Sequence, residues 1–178
     1  MADVFSKAKR SEVMSRIRSR GNRDTKLALA RLLRANHITG WRRHSLVRVT
    51  VEGRKSRVEG KAFPGSRRSS LVSRLSVRPD FVFRQVRLAL FVDGCFWHGC
   101  PRHATKPANN RAFWKKKLAG NKKRDRRVNR TLRRAGWKVV RIWEHELPKL
   151  RGKHRTLNIE HRTSNADKLV RRIKKHLK

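Results

Sequence analysis

Carboxylates are scarce in this chain. Its 178 residues hold twelve Asp and Glu against fifty Lys and Arg, a formal net charge of +38. So few acids exclude a surface neutralised from within, and such an excess calls for a polyanionic partner, with nucleic acid the default. Long apolar runs are also missing: none approaches the ~20 residues of a spanning helix, which argues against a membrane protein. The opening MADVFSKAKRSEVMSRIRSR lacks the apolar centre of a signal peptide. Cysteine is limited to Cys95 and Cys100. A disulfide framework is therefore not expected, whereas a metal site or free thiols in a bacterial-type cytoplasm or nucleoid are. No internal repeat is visible. What is present, 37% hydrophobic residues, supplies one modest core and hence one active site. The free chain is expected to be a monomer.

Apolar spacing and changes of composition divide the chain. Residues 8–20 carry Val13, Met14 and Ile17 among bases, which suits a short cationic helix. Asp24 or Thr25 would cap a second helix, on which Leu27, Leu29, Leu32 and Leu33 form a core-facing stripe to about Asn36, with Gly40 beyond its end. From Trp41 to Arg78, eleven Lys and Arg stand against two Glu in a serine-rich stretch, an insertion with at most a hairpin. Pro79 to Phe83 alternates as a half-buried strand, Leu88 to Val92 runs apolar as a central strand, and Arg84 to Arg87 turns between them. After the loop Asp93 to Pro107, two basic helices are expected. One lies around Phe113, Trp114 and Leu118, and the other carries Val128, Leu132 and Ala135 and is closed by Gly136. Trp137 to Trp143 reads as a third core strand that delivers Glu144, His145 and Glu146 to one edge. Leu169, Val170, Ile173 and Leu177 give the basic tail an amphipathic helix. The division is an N-terminal helical arm over 1–40, a basic insertion over 41–78, an α/β core over 79–147 and a basic tail over 148–178.

The densest chemistry lies in VDGCFWHGCPRH, Val92 to His103, a loop at a strand end. Cys95, Cys100 and His103 can supply three Zn²⁺ ligands, with His145 from a distant element as the fourth. Two reduced cysteines and a surface histidine are the plainer alternative. Asp80 opens one strand and Asp93 ends its neighbour, so a hairpin brings them within reach of one hard cation such as Mg²⁺. A Pro-Asp pair is otherwise a common turn. His98 stands beside them as a candidate general base for water attacking a phosphodiester, or as a structural histidine. Phe96 and Trp97 either plug the core or project into a partner, where aromatics wedge between base pairs.

The order of these segments carries more than any one of them. RSEVMSRIRSRGNRDT, PDFVF, LFVDGCFWHGC, FWKKKL with Asn121 and Asp125, and GWKVVRIWEHEL together resemble the very short patch repair endonuclease family. The resemblance covers about residues 1–40 and 79–147. It implies a PD-(D/E)xK-like α/β fold, a central mixed sheet flanked by helices, with a structural zinc. It also implies Mg²⁺-dependent nicking of one DNA strand 5′ to the thymine of a T·G mismatch. Carried over, Asp80 binds the catalytic Mg²⁺, Val92 offers it a main-chain carbonyl, and His98 is the catalytic histidine. Asp93 joins this group, at a position where the best-known member has histidine. Cys95, Cys100, His103 and His145 become the Zn²⁺ set, and Met14, Phe96 and Trp97 the wedge that enters mismatched DNA.

Two features depart from the family. Lys26 stands where a glutamate is expected on the second helix, and a cation there repels Mg²⁺. From Lys106 to Arg141 fifteen Lys and Arg meet the single acid Asp125, more charge than reading a mismatch requires. These features support a second reading, a catalytically impaired fold acting as a structural RNA-binding protein of a ribosome. A third is a selfish-element nuclease whose insertion extends the DNA footprint.

Overall fold

The computed structural model describes residues 25–52, 72–148 apart from 106 and 108, and 160–177, with Ala8 and Glu12 as isolated helical positions ahead of them. The expected first helix with Met14 lies otherwise outside the described residues. Side chains of the last helix are described from residue 165.

The first element, α1 (Lys26–Ala35), buries Ala28, Leu29, Ala30 and Leu33. Its core face is thus half alanine, and Leu27 stays partly exposed. Thr25 makes no side-chain cap; its carbonyl simply accepts the Leu29 N–H at 3.0 Å. Asp24 lies outside the described residues.

Strands β1 (Trp41–Arg43), β2 (Val47–Glu52), β3 (Val72–Val77), β4 (Phe81–Phe83), β5 (Leu88–Asp93) and β6 (Lys138–Trp143) follow in chain order, with α2 (Arg111–Arg134) between the last two. The main sheet runs β1-β4-β5-β6, and β2 with β3 forms a separate two-stranded sheet. Strands β1, β4 and β5 pair antiparallel, whereas β5 and β6 pair parallel from Leu88↔Lys138 to Asp93↔Trp143. A parallel pair needs a long crossover, and α2 supplies it.

Side chains along these strands alternate between two cores, which is why β5 reads as continuously apolar. Phe81, Phe83, Leu88, Leu90, Val92, Val140 and Ile142 face one core together with α1 and the last helix, α3 (Glu160–Leu177). Val82, Ala89 and the partly buried Phe91 and Val139 face the other, against β2, β3 and Leu132 of α2.

Three expectations change. Trp41–Arg43, read as the start of the insertion, is the edge strand of the main sheet; Trp41 packs edge-on against Phe81 at 5.2 Å and donates to the Ile38 carbonyl at 2.9 Å. Three residues, two of them arginine, carry no strand periodicity, so only the long-range pairing reveals it. The two basic helices are a single helix of 24 residues. Trp114, Leu118, Asn121, Asp125, Val128 and Leu132 form one half-buried stripe at i+3 and i+4 spacing along it. Gly120 lies on the exposed side, where its helical cost of about 1 kcal/mol is absorbed. Gly136, at φ +76°, closes the helix as expected, with Trp137 N–H reaching back to the Leu132 carbonyl. The third change concerns the tail: Leu169, Val170 and Ile173 are buried in the main core beside Leu29 and Leu33. Among the described residues no helix is long and apolar enough to cross a membrane.

Because Ile173 is fully buried, Ile173→Ala is expected to lower the unfolding free energy by about 2–4 kcal/mol. The neighbouring Lys175→Ala should stay within about 0.5 kcal/mol of wild type. Chemical denaturation of the full chain measures both.

Candidate functional site

The parallel strands β5 and β6 end side by side, and the crevice beyond such ends is where open α/β sheets place their sites. Asp93 closes β5, Trp143 closes β6, and a single 3₁₀ turn over Glu144–Glu146 follows. Asp80, just before β4, reaches the same edge because β4 runs antiparallel to β5.

Asp80 is nearly buried, and both its oxygens have donors: Lys26 Nζ lies 2.8 Å from Oδ1, and the Val92 N–H donates to Oδ2 at 2.8 Å. Asp93 is held by Arg141, whose Nη1 lies 2.8 Å from each of its oxygens. Arg141 extends further, with Nη2 at 3.1 Å from Asp125 Oδ1 and Nε donating to Asn129 at 3.1 Å. The other Asp125 oxygen sits 2.6 Å from His98 Nδ1. A carboxylate can only accept, so Nδ1 carries a proton, and in the neutral ring Nε2 is the acceptor. Asp93 Oδ1 lies 3.7 Å from the same ring nitrogen. Burial pushes the Asp93 carboxyl above its ordinary range, and Arg141 opposes that shift.

The site loop holds its shape through short backbone bonds, Cys100 N–H to the Cys95 carbonyl at 2.9 Å among them. Gly99, at φ +63°, sits in the left-handed region that favours glycine, and the flexible Lys122 side chain passes over it. One ligand atom from each of Cys95, Cys100, His103 and His145 falls within 4.8 Å of the others. The His145 Nδ1 is 3.2 Å from Cys95 Sγ and 3.7 Å from Cys100 Sγ, and Cys100 Sγ is 3.8 Å from His103 Nδ1. Tetrahedral Zn²⁺ with its usual bond lengths separates S and N ligands by about 3.5 Å, so the donor set fits that ion. Burial pushes the Cys95 thiol up to about 12. Burial opposes ionisation of Cys100 too, but the N–H groups of Arg102 and His103 outweigh it and the thiol is lowered. Burial and the neighbouring His103 lower His145, favouring the neutral imidazole that a metal requires.

Mg²⁺ is a different matter. A hard cation needs open carboxylate oxygens, and all six oxygens of Asp80, Asp93 and Asp125 already face a protein donor. As they stand, Asp80 and its neighbours do not fit it.

Phe96 and Trp97 are half-buried and belong to neither core; they pack on each other at 5.1 Å, and Trp114 of α2 closes on both, at 5.1 and 5.8 Å. Phe113 caps this cluster from Trp114 at 5.3 Å and is 59% exposed. Asn121 anchors the loop from α2 by donating to the Trp97 carbonyl at 3.0 Å.

Sequence reasoning named Asp80, Asp93, His98 and the four sulfur and imidazole ligands, and all lie at this edge. It missed Arg141 and the Phe113 and Trp114 contribution. Each left a signal: an arginine inside the apolar run KVVRIW asks for a buried acid, and Trp114 leads the stripe that carries Asn121 and Asp125. Met14, the remaining wedge residue, is outside the described residues.

The sequence profile described as "DNA mismatch endonuclease Vsr" matches residues 65–104. A protein named Type II nicking enzyme V.XorIIP, from Xanthomonas oryzae pv. oryzae, is 34% identical over 152 residues, covering 84% of this chain and 90% of that one. The chain belongs to the Vsr family. The DNA mismatch endonuclease Vsr of Escherichia coli is 36% identical over 81% of this chain and 74% of its own length. The Type II nicking enzyme V.NaeI of Lentzea aerocolonigenes is 51% identical over 72 residues, a match that spans 43% of that protein. The mixed sheet flanked by helices is what the Vsr resemblance leads one to expect.

Removing Arg141 leaves the buried Asp93 without its partner. Arg141→Met is expected to cost about 3–5 kcal/mol at neutral pH by urea denaturation. A carboxyl whose folded value is raised favours the fold when protonated and loses that contribution as pH rises through the folded value. Without Arg141 the Asp93 carboxyl moves higher still, so the deficit should shrink as pH is lowered from about 7 toward 5. A deficit independent of pH would exclude Asp93 as its source.

Proposed function

We propose that this protein is an endonuclease that nicks one strand of duplex DNA 5′ to the thymine of a T·G mismatch. The observation that carries the reading is the Asp125–His98 pair, 2.6 Å apart, beside the carboxylate of Asp93 at the strand edge that Asp80 also reaches. Asp125 keeps the proton on Nδ1, so Nε2 can take a proton from water as it attacks phosphorus. The new P–O bond forms as the bond to the departing sugar oxygen breaks, and that oxygen takes a proton from solvent. Phe96 and Trp97, with Trp114 behind them, form a half-exposed aromatic face suited to unstacking a weak base step; Met14 joins them by resemblance. The twelve Lys and Arg of α2 are all exposed and offer phosphate contacts beside this face. The nucleoid is where such a substrate lies.

Zn²⁺ in this reading is structural, held by Cys95, Cys100, His103 and His145. It supplies a cross-link between the site loop and the turn after β6, and so braces His98 and the aromatic pair from both sides. The catalytic Mg²⁺ implied by the family, with Asp80 and the Val92 carbonyl as its ligands, would need the Asp80 oxygen that Lys26 now engages. The RNA-packing alternative is not favoured: the tail helix that would thread between RNA segments is anchored in the core through Leu169, Val170 and Ile173.

With Mg²⁺ raised until the rate saturates, a T·G duplex should be nicked in one strand in preference to matched duplex. His98→Ala is expected to reduce the rate by about 10²-fold or more, and Trp97→Ala to erase most of the preference for the mismatch. Nicking unchanged by His98→Ala would sink the assignment. Metal analysis of the purified protein should find about one Zn²⁺ per chain, absent after Cys95→Ser with Cys100→Ser. A wild-type protein without zinc rejects that part of the reading.

A further inference from the structure

We propose that Lys26 is a tethered cation that holds the place of a divalent metal at Asp80, so that a metal ion binds here only by displacing it. The inference rests on the reading of Asp80 as the carboxylate of the nicking site.

Four observations converge on Lys26. Its Nζ contacts Asp80 Oδ1 at 2.8 Å, with the two side chains only 20% and 12% exposed. The other Asp80 oxygen is committed to the Val92 N–H, so Oδ1 is the oxygen that a metal would have to win. Neighbouring carboxylates offer no substitute, because Arg141 covers Asp93 and Arg141 with His98 covers Asp125. Finally, Lys26 is the first residue of α1, and no acid lies in that turn. A cation at a helix N-terminus opposes the helix dipole, so the helix itself gives no reason for a lysine there. Asp80 does.

The consequence follows from charge. Lysine supplies one positive charge and hydrogen-bond donors but no open coordination positions, so it neutralises Asp80 without offering a metal's ability to bind a phosphate oxygen and water together. A divalent ion gains Asp80 only after the ammonium moves away, since two cations repel at that range. The flexible four-carbon stem and partial exposure of Lys26 make that exchange possible. Metal binding is therefore a competition, and the metal requirement for nicking is shifted to higher concentration rather than abolished.

The test is Mn²⁺ binding to DNA-free protein whose Cys/His site is filled with Zn²⁺, followed by the electron paramagnetic resonance signal of free Mn²⁺. Lys26→Gln keeps a hydrogen-bond donor for Asp80 while removing the charge, and Lys26→Met serves as a second neutral variant. Both are expected to bind one Mn²⁺ about tenfold tighter than wild type, a difference of about 1.4 kcal/mol, whereas Lys26→Arg stays weak. Adding Asp80→Asn to Lys26→Gln should return binding to the wild-type level or below. If neutral variants bind no tighter than wild type while Asp80→Asn still weakens binding, the inference about Lys26 is overturned and Asp80 remains the metal carboxylate. If the tightening survives Asp80→Asn, the metal sits elsewhere, and the reading of Asp80 falls together with the inference.

Discussion

One guanidinium joins the parts of this structure that matter most. Arg141, near the end of β6, spans to Asp93 at the end of β5 and to Asp125 and Asn129 on α2. Two strands and the crossover helix are thereby held at one point, and through Asp125 the same group sets the protonated face of His98. An Arg fork suits this role because its donors lie in a fixed plane and it stays charged when partly buried. Arg172 of α3 continues the brace: it donates to the Arg141 carbonyl at 3.2 Å and clasps Glu146 at 2.9 and 3.1 Å, beside His145. Glu146 in turn accepts the Trp143 N–H at 2.8 Å. The far C-terminal helix thus supports the turn that carries His145.

The distribution of charge follows from this constraint. Of twelve acids in the chain, Asp80, Asp93, Asp125, Glu144 and Glu146 gather at the strand edge, each but Glu144 seen in contact with a resident cation or histidine. A patch where acids and bases are paired therefore lies within a strongly cationic surface. Exposed bases draw a polyanion in over long range and fix it through its backbone, while paired acids offer it no such hold. The aromatic cluster of Phe96, Trp97, Trp114 and Phe113 lies next to it. Its members touch one another rather than either core, which leaves ring faces available at low cost in buried area.

The loop between β5 and α2 has two demands to meet. It must hold His98 against Asp125 within hydrogen-bond reach, and it must keep Phe96 and Trp97 out of either core. Backbone bonds within the loop, the Asn121 bond to the Trp97 carbonyl, and the close grouping of Cys95, Cys100, His103 and His145 meet both. None of these relies on burying apolar surface, which suits a segment that works at the edge of the protein.

Much of this was open to sequence reasoning alone. The alternation of PDFVF, the apolar run of β5 and the β-branched KVVRIW determine three neighbouring strands, because period-2 burial leaves a local trace. The crowding of Cys95, His98, Cys100 and His103 on one loop marks the site, because such residues rarely share a short segment without a function. Tertiary structure decided the rest, through contacts between residues distant in sequence. Trp41–Arg43 becomes a strand only because Phe81–Phe83 offers it an edge, and α3 belongs to the core only because α1 and the sheet leave a face for Leu169 and Ile173. Lys26 and Asp80, separated by 54 positions by their numbers, meet only because α1 starts where β4 starts. Local patterns specify the elements, but which charge neutralises which is set by the packing of those elements, and it is that pairing that governs what the site can bind.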